Sequence, residues 1–230
     1  MTIIQNIKGK IIVSVQAMPG EPLYSEECLK AMMLSVANGG AEVLRVAGAR
    51  DVNNAKNIGC TVIGITKPNK LPDNWREVVY ITPTLKDVKI LINAGADIIA
   101  FDGTSRLRPG GDKLEDIISE IHKYGKLAMA DISTVDEGLN CAYLGVDIIS
   151  TTLSGYTLES ASCMDEPDYE LLKNLVNKTD IPVILEGRIW ETDDVVKAFN
   201  LGAHSVVIGS AITRPQLITK RFIDCIKKEA

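Results

Sequence analysis

The sequence predicts a single-domain (β/α)8 barrel over residues 1–230. Three observations carry that expectation. Eight short apolar runs alternate with amphipathic helical patterns. One phrase recurs at four helix-to-strand junctions. The chain is 46% apolar but only 5% aromatic, which suits the Ile, Val, Leu and Ala core of a parallel α/β protein.

The expected strands are IIVSVQA (11–17), VLRVAG (43–48), TVIGITK (61–67), DIIAFDG (97–103), LAMADIS (127–133), DIISTTL (147–153), PVILEGR (182–188) and SVVIGSA (205–211). Helical patterns such as KLEDIISEIHKYG and EPDYELLKNLVNK separate most of them. VVYIT (78–82) breaks the regularity and reads as an extra extended segment in the third unit. The recurring phrase is GGAEVLRV, AGADIIAF, LGVDIIST and LGAHSVVI. In each, a glycine (Gly40, Gly95, Gly145, Gly202) ends a helix, a small residue follows, a polar residue turns the chain, and a strand begins. Glycine suits the left-handed position after a helix C-cap. The phrases lie about two βα units apart, the recurrence expected of an eight-fold TIM barrel. A doubly wound open sheet is the alternative, but no G-x-G-x-x-G follows the first strand.

In such a barrel the C-terminal strand ends face the active site. Here those ends are Gln16, Arg45, Lys67, Asp102, Asp131, Thr152, Glu186 with Arg188, and Ser210. Singly, each reads equally well as a solvated strand end; together they would crowd charge into one mouth. Asp102, followed by Gly103, reads equally well as turn chemistry. Of the two histidines, His122 lies in a helical pattern and His204 at the opposite, stability end of a strand. Neither has a partner histidine, which argues against a His-rich metal site and a His-based triad. Proton chemistry then falls to Lys, Asp, Glu or the substrate.

The remaining composition excludes more than it assigns. Five cysteines (Cys28, Cys60, Cys141, Cys163, Cys225) form no C-x-x-C, which argues against disulfides and structural zinc and for a reducing compartment. The net charge is −5 and no basic patch stands out, so no nucleic-acid partner is expected. The N-terminus lacks an apolar signal core, and no run approaches the ~20 apolar residues of a membrane helix. A cytoplasmic protein without membrane attachment is the expectation.

The loops after strands seven and eight often hold phosphate in these barrels. They read EGRI and GSAITRPQ. Gly187 and Gly209 permit close backbone approach, Ser210 offers a hydroxyl and an amide, and Arg188 and Arg214 offer guanidinium forks. The segment from Ala211 onward reads as the start of the last helix, whose first amides favour an anion.

With these residues assembled, the chain resembles the N-acetylmannosamine-6-phosphate 2-epimerase family along nearly its whole length. SVQAMPGEPLYS is similar to that family's first-strand signature, with Val15 and Met18 where Cys and Leu are common. FDGTSRLRP, MADISTVDEG, TTLSGYT, LEGRI and VIGSAIT are similar to its other motifs. After Lys67 the family varies, and Pro68 and Asn69 follow here. The resemblance implies interconversion of N-acetyl-D-mannosamine 6-phosphate and N-acetyl-D-glucosamine 6-phosphate by inversion at C2, without metal or cofactor, in sialic acid catabolism. It also implies a homodimer. The last helical run, QLITKRFIDCIKK, has apolar residues that could face a partner or cover the barrel.

Inversion beside the open-chain aldehyde needs a base and enolate stabilisation. Lys67 is the candidate base. A free lysine, with a pKa near ~10.4, is charged at neutral pH, and burial or the Arg45 cation would lower it. A Schiff base is not required, because the aldehyde already acidifies C2. Glu186 could orient a hydroxyl, position Lys67 or serve as the second acid/base; ionised, it would raise the lysine pKa. A one-lysine route with a hydroxyl relay is also open. The remaining expectations are sugar contacts from Asp131, Thr152 and Arg188, and carbonyl or N-acetyl contacts from Gln16 and Arg45, with Arg45 offsetting enolate charge. Gly187, Gly209, Ser210 and Arg214 are the expected phosphate contacts. Two alternatives stay open: another phosphate-binding barrel lyase or synthase, and a non-catalytic phosphosugar-binding protein.

Overall fold

The computed structural model describes residues 2–160 and 165–227. Cys163 and the end of the last helical run lie outside that description. Eight parallel strands close into one barrel in sequence order: β1 (Ile11–Val15), β2 (Val43–Ala47), β3 (Thr61–Ile65), β4 (Ile98–Asp102), β5 (Leu127–Asp131), β6 (Ile148–Ser150), β7 (Val183–Glu186) and β8 (Ser205–Ile208). Closure is the β1–β8 pairing, with Ile11 opposite Val206 and Val13 opposite Ile208. Helices α1 (Ile3–Ile7), α2 (Glu26–Asn38), α3 (Ala49–Ile58), α4 (Leu85–Asn93), α5 (Leu114–Lys123), α6 (Val135–Tyr143), α7 (Tyr169–Lys178), α8 (Thr192–Asn200), α9 (Ser210–Thr213) and α10 (Pro215–Lys227) complete the unit.

Strand periodicity sorts the core into two layers. Residues on one parity (Val13, Val15, Leu44, Val46, Val62, Ile99, Phe101) face outward and pack under the helices. The other parity (Ile12, Val43, Ile63, Ile65, Ile98, Met129, Ile148, Ile184, Val207) fills the barrel interior. Ile63 and Ile65 are wholly buried, and each such side chain contributes about 2 to 3 kcal/mol of burial. The inward parity, continued two or four residues further, reaches Gln16, Arg45, Lys67, Asp131, Thr152 and Glu186. The interior therefore changes from aliphatic to charged toward the C-terminal mouth.

The four junction glycines take left-handed conformations, with φ of 101° at Gly40, 90° at Gly95 and Gly145, and 94° at Gly202. In each, the glycine N–H and the next residue's N–H bond back to the last helical turn; Gly95 donates to Ile92 O and Ala96 to Leu91 O. This Schellman arrangement satisfies carbonyls that a helix end leaves open. The polar residue of the phrase then closes the stability end of the barrel. The Asp97 carboxylate accepts from Val62 N at 2.8 Å, and Asp147 accepts from Ala128 N at 2.7 Å. His204 sits there too, its Nε2 2.9 Å from Ile4 O.

Helix α1 plugs that end. Thr2 and Gln5 form a capping box, Ile7 is buried in the interior cluster, and Ser205 Oγ donates to Ile7 O at 2.6 Å. The sequence reading contained no such element.

The strands are shorter than the apolar runs, mostly at the mouth. Gly187 (φ 115°) and Arg188 (φ 58°) leave the extended region and end β7, and Ser210 opens α9. The expected continuous last helix is broken at Arg214 (φ −121°, ψ 75°), because the residue before Pro215 is pushed out of the α region. The segment at 78–82, expected to be extended throughout, makes only a single bridge at Val78 to Leu107 and bends at its end, where Thr82 takes φ 43°; it wedges between β3 and β4. Thr82 N donates to Thr66 O, Asp102 N donates to Ile81 O, and Val79 N donates to Leu107 O.

Candidate active site

Lys67, Glu186, Gln16, Thr152, Gly187, Arg188, Gly209, Ser210 and Arg214 all line one cavity of about 420 Å³ at the C-terminal mouth. That volume suits a small ligand. Lys67 extends from the end of β3 and Glu186 from β7. In a closed eight-strand barrel these strands are diametrically opposite, so the amine and the carboxyl enter the cavity from opposite walls.

Arg45 and Asp131 have the expected parity but a different depth. Arg45 is 1% exposed and Asp131 0%, and neither lines the cavity. Arg45 holds Asp131 in a two-pronged pair, Nη1 to Oδ1 at 3.0 Å and Nη2 to Oδ2 at 2.5 Å. The two form a buried pair that adjoins the cavity through Glu186 and Thr152. It is linked upward. Arg45 Nη1 lies 3.3 Å from Glu186 Oε2, and Thr152 Oγ1 lies 2.8 Å from Asp131 Oδ1 and 3.0 Å from Glu186 Oε2. Lys67 Nζ donates to Gln16 Oε1 at 2.9 Å, and Gln16 Nε2 donates to Ser14 Oγ at 2.9 Å.

The electrostatics settle the sign of the conflict between Lys67 and Glu186. Burial lowers the Lys67 pKa and Arg45 lowers it further; Glu186 and Asp131 oppose them, and Arg214 adds to the lowering. The net effect is a fall from 10.5 to about 8. The Lys67 side chain is exposed at the mouth, so solvent there limits how far desolvation lowers its pKa. Glu186 moves the other way. Burial raises its pKa, and Asp131 adds to this; Arg45, the Thr152 hydrogen bond and Lys67 work against the rise. Burial alone would depress the Arg45 guanidinium, but Asp131 and Glu186 reverse that and hold it charged. Each environment thus favours a neutral amine and a protonated carboxyl more than water would.

The two arginines of the phosphate loops are already engaged. Arg188 Nε donates to Glu166 O and Nη1 to Ser154 O, both at 2.7 Å, so its fork clamps the loop after β6. Arg214 pairs with Glu21 on the loop after β1, and Glu21 in turn accepts from Met18 N at 2.7 Å. Gly209 is confined by Ser14, whose Cβ would lie 3.4 Å from an added Cβ. Gly187, at φ 115°, occupies backbone space that other residues reach only with strain.

Tyr80, Tyr156 and Trp190 also line the cavity and were not among the expected site residues. Tyr80 comes from the wedged segment, whose sequence signalled extension but not direction. Asp102 resolves to a structural role. Its Oδ1 accepts from Thr104 N at 3.0 Å and Thr104 Oγ1 at 2.6 Å, and its other oxygen pairs with Arg106. Arg106 Nη1 also donates to Trp75 O at 3.0 Å, which ties the turn before the wedge to the loop after β4. Among the described residues, no cluster of three metal-type ligands occurs and no helix is long and apolar enough to cross a membrane.

Comparison with known proteins places this geometry among relatives. Residues 29–228 match the family model described as "Putative N-acetylmannosamine-6-phosphate epimerase". The chain is 46% identical over 222 residues to the "Putative N-acetylmannosamine-6-phosphate 2-epimerase" of Clostridium perfringens, covering 96% of this chain and 98% of that protein. It is equally identical over 231 residues to the protein of the same description from Caldanaerobacter subterraneus subsp. tengcongensis, covering 99% and 95%. A solved structure of the N-acetylmannosamine-6-phosphate 2-epimerase from Clostridium perfringens superposes with a TM-score of 0.92 at 44% identity, covering 98% of this chain and 96% of that one. A thiamine phosphate pyrophosphorylase from Pyrococcus furiosus, at TM-score 0.62 and 14% identity, shares the fold alone.

Proposed function

The chain belongs to the N-acetylmannosamine-6-phosphate epimerase family, and from that premise we propose that it is an isomerase interconverting N-acetyl-D-mannosamine 6-phosphate and N-acetyl-D-glucosamine 6-phosphate by inversion at C2. The observation that carries the mechanism is the placement of Lys67 and Glu186 on opposite strands of one cavity, with pKa values displaced toward each other.

The open-chain aldehyde acidifies C2–H. One of the two groups breaks that bond and gains the proton, and the electron pair passes into the C1–C2 enolate. The other group then gives up its proton to C2 from the opposite face, and the configuration inverts. Neutral Lys67 with protonated Glu186, and charged Lys67 with ionised Glu186, hold the same number of protons. Each is the reactive form for one direction. The states also support each other, because a protonated Glu186 no longer raises the Lys67 pKa. Gln16 orients the Lys67 amine. Thr152 and the buried Arg45–Asp131 pair hold the Glu186 carboxyl, and the Arg45 charge offsets enolate charge through the floor.

The phosphate is assigned to Gly187, Gly209, Ser210 and Arg214, with Arg188 shaping the adjoining loop. The reaction uses no metal or cofactor in this scheme and operates in sialic acid breakdown in the cytoplasm. A homodimer is assigned to the α10 face, where Phe222 and Ile226 are each 70% exposed. Proton NMR of N-acetylmannosamine 6-phosphate incubated with the protein tests the activity. Growth of N-acetylglucosamine 6-phosphate signals supports it; an unchanged spectrum refutes it.

A further inference from the structure

A second cavity, of about 570 Å³, adjoins the first. Lys67 and Tyr80 line both. Beyond that shared wall the surroundings change character. Four prolines (Pro68, Pro72, Pro83, Pro109) with Val78 and Leu107 make its accessible wall mainly apolar. The backbone around it is held in place. Val79 N donates to Leu107 O at 3.0 Å, and Arg106, paired with Asp102, donates to Trp75 O at 3.0 Å, which ties the loop after β4 to the turn before the wedge. The prolines restrict the loop before any ligand binds. Thr66, Lys67, Lys70, Asp87 and Arg108 complete the lining, but Asp87 is engaged by Thr66 and Arg108 by the Asp102 carbonyl, so an aliphatic chain meets mainly apolar atoms and loses only water.

We propose that this cavity is a subsite for the acyl chain of N-acyl-hexosamine 6-phosphates whose aliphatic acyl group is longer than acetyl. The inference rests on the epimerase reading above. In that reading C2 is the atom on which Lys67 acts, and the acylated nitrogen is bonded directly to C2. The acyl chain therefore starts beside the one wall the two cavities share. Acetyl ends at that wall; a butanoyl chain has two further methylenes to place beyond Tyr80. Each methylene buried in an apolar site tightens binding roughly three- to four-fold, which offsets displacement of the Tyr80 ring.

The test compares kcat/KM for N-acetyl- and N-butanoylmannosamine 6-phosphate in the wild-type protein and in the Val78→Trp and Leu107→Trp variants. Both substitutions place a bulkier side chain on the wall of the second cavity. Leu107 is 81% exposed, so its replacement leaves the fold intact should the Val78 change disturb it. The wild type is expected to convert the butanoyl substrate within tenfold of the acetyl one. The Leu107 variant is expected to lose at least tenfold on butanoyl with acetyl turnover held within twofold. Acetyl turnover with butanoyl more than tenfold poorer in the wild type overturns the subsite, as does butanoyl turnover unaffected by filling. Absence of acetyl turnover in the wild type overturns the epimerase reading instead.

Discussion

Glu186→Gln separates two-group inversion from a lysine acting alone. The substitution keeps an oxygen for the Thr152 bond now made at 3.0 Å but removes the exchangeable acid. It also removes the largest influence raising the Lys67 pKa, so the amine falls further below about 8. The size of that electrostatic gain is bounded. With a pKa of about 8, about 9% of Lys67 is neutral at pH 7, against about 0.03% at 10.5. Further lowering can therefore raise the neutral fraction by no more than about eleven-fold. Loss of the second acid/base instead costs about 10² to 10⁴ in turnover. The assay is epimerisation at pH 7 followed by NMR in D₂O. The variant is expected to lose epimerisation by at least about 10², yet still exchange the C2 proton of one of the two sugars, because Lys67 can remove and return a proton on its own face. Epimerisation unchanged, or faster by up to about eleven-fold, would refute the second-group role and leave Glu186 as an electrostatic brake.

The wild-type pH profile of kcat/KM gives an independent reading. The reactive pair has one proton fewer than the fully protonated state and one more than the fully deprotonated state, so activity is expected to fall as pH rises through about 8; a rise to a plateau there would indicate a single neutral lysine. Arg214→Ala is expected to raise KM by about tenfold with little change in kcat, the low end for a charge-assisted bond, because Glu21 already engages this guanidinium; steady-state kinetics check it. Asp102→Ala leaves Arg106, 8% exposed, without its carboxylate. Breaking such a buried pair costs about 3 kcal/mol or more, a fall of about 6 °C or more in Tm by calorimetry.

The barrel was legible because two local rules repeat along the chain. The glycine phrases marked four helix ends whose hydrogen bonds require a left-handed residue, and strand parity put Lys67, Glu186, Gln16 and Thr152 on the inward face. Parity does not report depth. Arg45 and Asp131 share that face but meet beneath the floor, a consequence of how the closed sheet staggers its strands. Guanidinium partners were equally hidden: Arg188 bonds to carbonyls of residues 154 and 166, contacts fixed by a loop path that no period encodes. Tyr80 escaped for a related reason, since its segment pairs with β3 and β4 only in its last residues. Helix α1 does have a signal, Thr2 with Gln5 three residues on, the pattern of a capping box.

The central claim is that Lys67 moves the C2 proton. Deuterium incorporation at C2, followed by NMR in D₂O for the wild type and Lys67→Ala side by side, tests it most directly. The account predicts deuterium at C2 of both sugars in the wild type. In the variant it predicts no epimerisation, with an unaltered circular dichroism spectrum and retained ligand binding. Conversion by the wild type without C2 deuterium, or epimerisation by Lys67→Ala near the wild-type rate, would contradict it.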